Sequence, residues 1–112
     1  MAEVSPRIST TQQITITSTL ATCTAICLSE NAAAILVLSS NANVGAVQAT
    51  WFASSAAQGS YVEMRTVLNA TIVQNLEGLY AYAVPAETFA ASFVKLKLAT
   101  GTDIIATAVL KN

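Results

Sequence analysis

Histidine is absent from this 112-residue chain, and the other chemically active residues are sparse. Without it, the commonest general base and the commonest metal ligand are missing. No serine or cysteine has an imidazole to activate it, which excludes the ordinary nucleophilic dyad. Charge is scarce too: five Lys and Arg against six Asp and Glu, 10% of the residues and a net charge of −1. An average soluble domain carries about 25% charged residues. Arg7, Arg65, Lys95, Lys97 and Lys111 are scattered, so no basic patch neutralises phosphates, and nucleic acid is excluded as a partner. The dispersed carboxylates form no Asp-rich calcium loop, and the four glycines form no phosphate cradle. Two carboxylates can still meet in space as an acid–base pair, which sequence leaves open. No catalytic residue, cofactor or metal is expected, and the chain reads as non-enzymatic.

Only two cysteines occur, Cys23 and Cys27. On a strand they share a face about 13 Å apart, too far for a disulfide. On a helix they would be neighbours. No further Cys or His completes a metal site. Two reduced, largely buried thiols are expected. The longest purely apolar run, residues 32–38, is far below the ~20 residues a bilayer span requires. The N-terminal Met-Ala-Glu-Val-Ser-Pro-Arg lacks a basic-then-apolar signal segment, so synthesis in a cytoplasm is expected, with no membrane partner.

What the chain has in quantity is apolar and small polar residues, with a hydrophobic fraction of 54%. A monomer keeps apart from its neighbours through a charged skin. Here Ser, Thr, Asn, Gln and Ala would have to supply it. Two readings follow: part of the surface is covered by other protein chains, or the chain is a neutral, Ser/Thr-coated monomer.

Residues 1–11 are polar, interrupted by Pro6, and read as an N-terminal arm. Val4 and Ile8 are the only large apolar groups of residues 2–11, and their spacing fits neither strand nor helix. Pro6 keeps it extended, and Arg7 is its cation. From Gln12 the period changes to two: Ile14 and Ile16 alternate with Thr15 and Thr17. Residues 22–28 continue in the same style. Ser29 could cap a helix through Ala32–Ala34, but Ile35-Leu-Val-Leu38 reads as a buried strand followed by an Asn41-to-Gly45 turn. Further strands are expected over 44–52, 61–68, 70–73, 79–84, 92–98 and 104–110. A turn is expected at Gln74-Asn-Leu-Glu-Gly78. Pro85-Ala-Glu-Thr-Phe89 has Pro at a first helical position and Glu in the first turn, one short helical turn. Eight or nine short strands at about ten-residue spacing predict an all-β domain over 12–112, a small β-sandwich or jelly roll of about eight strands.

Trp51 is in phase with Val47 and Ala49 and is expected in the core. Val62, Met64 and Leu68 are expected on one face. Tyr80 and Tyr82 share a face opposite Leu79, Ala81 and Ala83, which makes them candidates for a contact surface. Lys95 and Lys97 read as solvated, with Glu63 or Asp103 as available partners. Asn69-Ala-Thr71 matches the glycosylation pattern, but without a secretory route it is chance.

Six stretches carry a family resemblance: Gln13-Ile-Thr-Ile-Thr17, Val47-Gln-Ala-Thr-Trp51, Gly78-Leu-Tyr-Ala-Tyr82, Pro85-Ala-Glu-Thr-Phe89, Ser92-Phe-Val-Lys-Leu96 and Val109-Leu-Lys111. In this order they resemble small phage and prophage virion structural proteins of the capsid decoration or cement kind. The likeness runs from about Gln12 onward and departs in the loop after Trp51, where relatives often place an Asp-Gly turn before an aromatic residue and this chain has none. It implies a jelly-roll or sandwich domain in a virion and carries over no functional residues. The expectation is a decoration protein that binds the major capsid protein or other virion proteins, with residues 4–8 of the arm, Val4, Pro6, Arg7 and Ile8, as contacts. Homo-oligomerisation is also expected; capsid symmetry admits a trimer, though no residue counts subunits. The alternative is a carbohydrate- or receptor-binding module of a tail, baseplate or fibre, using Tyr80 and Tyr82.

Overall fold

A computed structural model describes residues 9–29 and 31–111. Among them nine strands form two antiparallel sheets: β1 (Ser9–Ile16), β2 (Ile26–Cys27), β3 (Ala33–Asn41), β4 (Val47–Ser54), β5 (Val62–Glu63), β6 (Val73–Leu76), β7 (Ala81–Ala83), β8 (Phe93–Leu98) and β9 (Ile104–Lys111). The first sheet has the order β1-β9-β3-β7 and the second β2-β8-β4-β5, with β6 also paired to β4. Early strands alternate between the two sheets, and β9 returns to lie between β1 and β3. This is the double-sheet, Greek-key arrangement of a jelly roll.

One edge of β4 pairs with β8. Its other edge takes β6 along Val47 to Thr50 and β5 at Phe52 and Ala53. Trp51 sits at the joint, donating its amide to Ile72 O at 3.0 Å and accepting from Met64 N at 2.9 Å. β5 and β6 therefore share one strand position, folded out between them as a hairpin through Asn69, whose φ is 62°.

The interior follows the period-two pattern. Ile14 and Ile16, Leu36 and Leu38, Ala49 and Trp51, Val94 through Leu98 in alternation, and Ile104 through Leu110 in alternation all turn inward. Trp51 is fully buried, as its phase predicted, and its Nε1–H has no partner among the described residues. Pro85 opens a short 3₁₀ turn over Ala86–Ala90, held by Thr88 Oγ1 donating to Pro85 O at 2.7 Å.

Several local expectations are corrected. Ser9, Thr10 and Thr11 belong to β1, opposite Lys111, Leu110 and Val109, so the strand begins inside the expected arm. Of residues 22–28 only Ile26 and Cys27 are strand; a 3₁₀ turn occupies Leu20–Thr22. There the Thr17 and Thr22 hydroxyls lie 2.6 Å apart and both bond to Thr19 O, local hydrogen bonds that compete with a ladder. The expected turn at residues 74–78 is shortened, because β6 runs to Leu76. Pairing of Gln74 and Asn75 with Ala49 and Gln48 overrides their turn preference. Val62 and Leu68 are exposed, and only Met64 of that trio packs on the core.

Trp51 is the chain's only tryptophan, so its fluorescence reports this core directly. Native emission should be blue-shifted and should move red on unfolding in urea. Trp51→Ala should lower stability by about 3–5 kcal/mol, read as an earlier urea midpoint by circular dichroism. A native spectrum like that of free indole would place the ring in water and contradict the packing.

Candidate contact surfaces

Among the described residues no three of His, Cys, Asp and Glu come together. Glu63 is engaged by Arg65 at 3.0 Å, a half-exposed pair worth about 0–1 kcal/mol. A shallow depression of about 440 Å³ is lined by Ala53, Ser54, Ser55, Ser60, Val62 and Ala90 to Ser92, with no titratable side chain. Lys95 does not pair with Glu63. Its Nζ donates to Leu20 O at 3.2 Å and lies 4.6 Å from the centre of the Tyr61 ring. Lys97 Nζ lies 5.8 Å from the Phe52 ring. Burial pushes the Tyr61 phenol above its ordinary pKa, and its hydroxyl donates to Ala57 O at 2.9 Å. No helix among the described residues is long and apolar enough to cross a membrane.

Two surfaces remain. The first is one end of the sandwich, where the β3–β4, β6–β7 and β8–β9 loops meet. Asn41 and Asn43 tie them together. Asn41 Oδ1 accepts from Asn43 N at 3.1 Å and Asn43 Nδ2 at 2.9 Å, while its Nδ2 donates to Gly78 O at 3.3 Å. Asn43 Nδ2 donates to Thr102 O at 2.8 Å, and its Oδ1 accepts from Thr102 N. Gly101 makes this closure possible. Its φ is +110°, and a Cβ there would collide with the Asn43 carboxamide.

Tyr80 and Tyr82 lie at this end, and Tyr82 is not on the outward face. Tyr82 pairs with Leu36, so it points with Leu36 toward the interlayer space at the sheet edge. It is half-buried, and its hydroxyl accepts from Glu77 N at 2.8 Å and donates to Glu77 O at 2.6 Å. Tyr80 is 66% exposed and meets Tyr82 edge-on, centroids 6.4 Å apart and planes at 87°. Val44, Leu79 and Tyr80 are thus apolar tips on a hydrogen-bonded frame.

The second surface is the outer face of the β1-β9-β3-β7 sheet. Ile35-Leu-Val-Leu38 is not wholly buried. Leu36 and Leu38 turn inward, while Ile35 and Val37 stay 41% and 39% exposed. Beside them stand Val109 and Thr107 of β9 and Ala83 and Ala81 of β7. Neither the asparagine frame nor this face was visible in the residues alone: asparagines read as turn punctuation, and an apolar run reads as core. Val4, Pro6, Arg7 and Ile8 lie outside the described residues.

The cysteines differ from each other. Cys23 is buried, its Sγ donating to Thr17 O and Thr19 O at 3.4 Å each. Cys27 is exposed, because in β2 it pairs with Phe93 on the outer face; burial of both was expected.

Searched against protein-family models, curated proteins and solved structures, the chain matches none of them.

Two outcomes follow. A thiol reagent should modify Cys27 at once in the native protein and Cys23 only as fast as the chain opens. Equal fast reaction of both would show that the Thr17–Cys23 corner is open. Gly101→Ala should cost about 1–3 kcal/mol in urea unfolding through backbone strain and the clash with Asn43. An unchanged midpoint would mean that the asparagine frame does not order the loops.

Proposed function

We propose that this chain is a non-enzymatic structural protein of a virus particle, a decoration or cement protein that binds the capsid shell and reinforces it. The observation that carries the reading is the loop end: Val44, Leu79 and Tyr80 project from a frame fixed by Asn41, Asn43 and Tyr82. Preordered apolar tips lose little conformational freedom on docking, which suits attachment to a rigid surface. The sparse charge, the sandwich architecture and the ordered resemblance to small virion proteins support the same reading. The exposed Tyr80 ring favours a second reading, a carbohydrate- or receptor-binding module. Against it, the two tyrosines meet edge-on and form no flat stacking platform, and both hydrogen-bonding roles of the Tyr82 hydroxyl go to Glu77.

Particles purified from the source culture on a density gradient should carry this chain at a fixed ratio to the main shell subunit. Recombinant protein should rebind stripped particles, and Val44→Asp with Tyr80→Asp should weaken binding at least about tenfold, the loss expected from interface anchors. Absence from the particles would overturn the proposal. Specific binding on a glycan array, lost in Tyr80→Ala, would replace it with the carbohydrate reading.

A further inference from the structure

We infer that the outer face of the β1-β9-β3-β7 sheet is a self-association surface on which a second copy of this chain packs. The inference goes beyond shell attachment through the loop end and does not depend on it.

The two outer faces of the sandwich differ in kind. On the β2-β8-β4 side, Lys95 and Lys97 lie over the aromatic rings of Tyr61 and Phe52, and Glu63 and Arg65 form an ion pair. Lysine stems that cover apolar surface and bring their ammonium groups over aromatic rings give that face a fixed charge. On the other side the outward positions of β3, β7 and β9 hold no charge until Lys111, at the last residue of β9. The outward positions of β1, Thr11, Gln13 and Thr15, are polar and uncharged. A charged partner finds nothing to complement there, whereas an identical uncharged face does.

Relief points to the same occupant. Ile35 and Val37 form a ridge along β3, and Ala83 and Ala81 form a trough beside it on β7, register partners of the ridge. A two-fold axis near β3 would set each copy's ridge over the other's trough. That is the self-complementarity an isologous interface requires. A further apolar cleft of about 160 Å³ opens between Ala33, Ile35 and Val109, with Lys111 at its rim.

The area is sufficient for a weak dimer. Two strands of eight residues, one of nine and a short fourth, at strand spacing, present roughly 450 Å² of flat surface per copy. Two copies then cover roughly 900 Å² before side-chain relief is counted, close to the ~1,000 Å² at which specific interfaces begin. Association should therefore depend on concentration.

Sedimentation equilibrium of the pure protein tests this without particles, so shell attachment can succeed or fail independently. The weight-average mass should rise from 11.6 kDa toward twice that value with concentration. Val37→Lys should move the midpoint up by at least about tenfold, the effect of a desolvated charge at an interface centre. Ala83→Glu, on the short edge strand, is the second variant, and a blue-shifted Trp51 emission certifies that each is folded. Asn75→Lys, on the opposite outer face, should associate like wild type. The proposal is overturned by a wild type that stays monomeric throughout, by a mass three times that of the chain, or by folded Val37→Lys and Ala83→Glu that associate normally. Loss of association in Asn75→Lys alone would place the interface on the other sheet and overturn it equally.

Discussion

β9 is hydrogen-bonded along its length on both sides, to β1 from Ser9 to Ile16 and to β3 from Ala33 to Asn41. A strand in that position must send alternate side chains to opposite faces. Ile104, Ala106, Ala108 and Leu110 enter the interior, and Ile105, Thr107 and Val109 go outward. A slip of one residue would exchange the two sets, so the buried set fixes the register of the neighbouring strands as well. Ala106 lies between Ile14 and Leu38 in register, and Ala108 lies beside Leu36. Small residues flanked by large ones let the two sheets approach and interdigitate around Trp51. One irregularity is admitted, the register shift between Leu38 and Ser40, where Ser39 Oγ donates to Ile105 O at 3.1 Å.

The same alternation makes the molecule two-sided. Because β3 and β9 carry apolar side chains on both faces, the first sheet has a core side and an outer side uncharged as far as Lys111. The second sheet carries Lys95 and Lys97, half-buried against the Tyr61 and Phe52 rings, on its outer side. In a chain with so few charges, their placement sets the two faces apart. The loop end adds a third direction, rigid through Asn41 and Asn43 and apolar at its tips. A sandwich with one charged face, one face uncharged up to Lys111 among the described residues and one ordered end fits a building block better than a free catalyst. That fit supports the structural-protein proposal.

Legibility in the sequence varied with the chemistry of the outward residues. β8 was readable because Lys95 and Lys97 punctuate Val94, Leu96 and Leu98, and Trp51 was readable because it keeps phase with Val47 and Ala49. β3 was half readable. Its strand character shows in Ile35-Leu-Val-Leu38, but an apolar residue on each face erases the period, so Ile35 and Val37 read as core. The direction of Tyr82 depends on its pairing with Leu36, a contact between distant segments. The loop frame was not readable at all. Asn43 bonds Thr102 across 59 residues, and nothing local separates such an asparagine from one that merely permits a turn. β6 failed for the related reason that its partner strand, not its own residues, decides its conformation.

On this proposal a second copy of the chain covers the outer face of the first sheet. Hydroxyl-radical footprinting of the concentrated protein against the dilute protein tests this side chain by side chain. Ile35, Val37 and Val109 should lose reactivity on assembly, while Val67 and Leu68 at the fully exposed hairpin tip keep theirs as internal references. Equal labelling of Ile35 and Val37 in both samples would show that the face stays in water and would contradict the account.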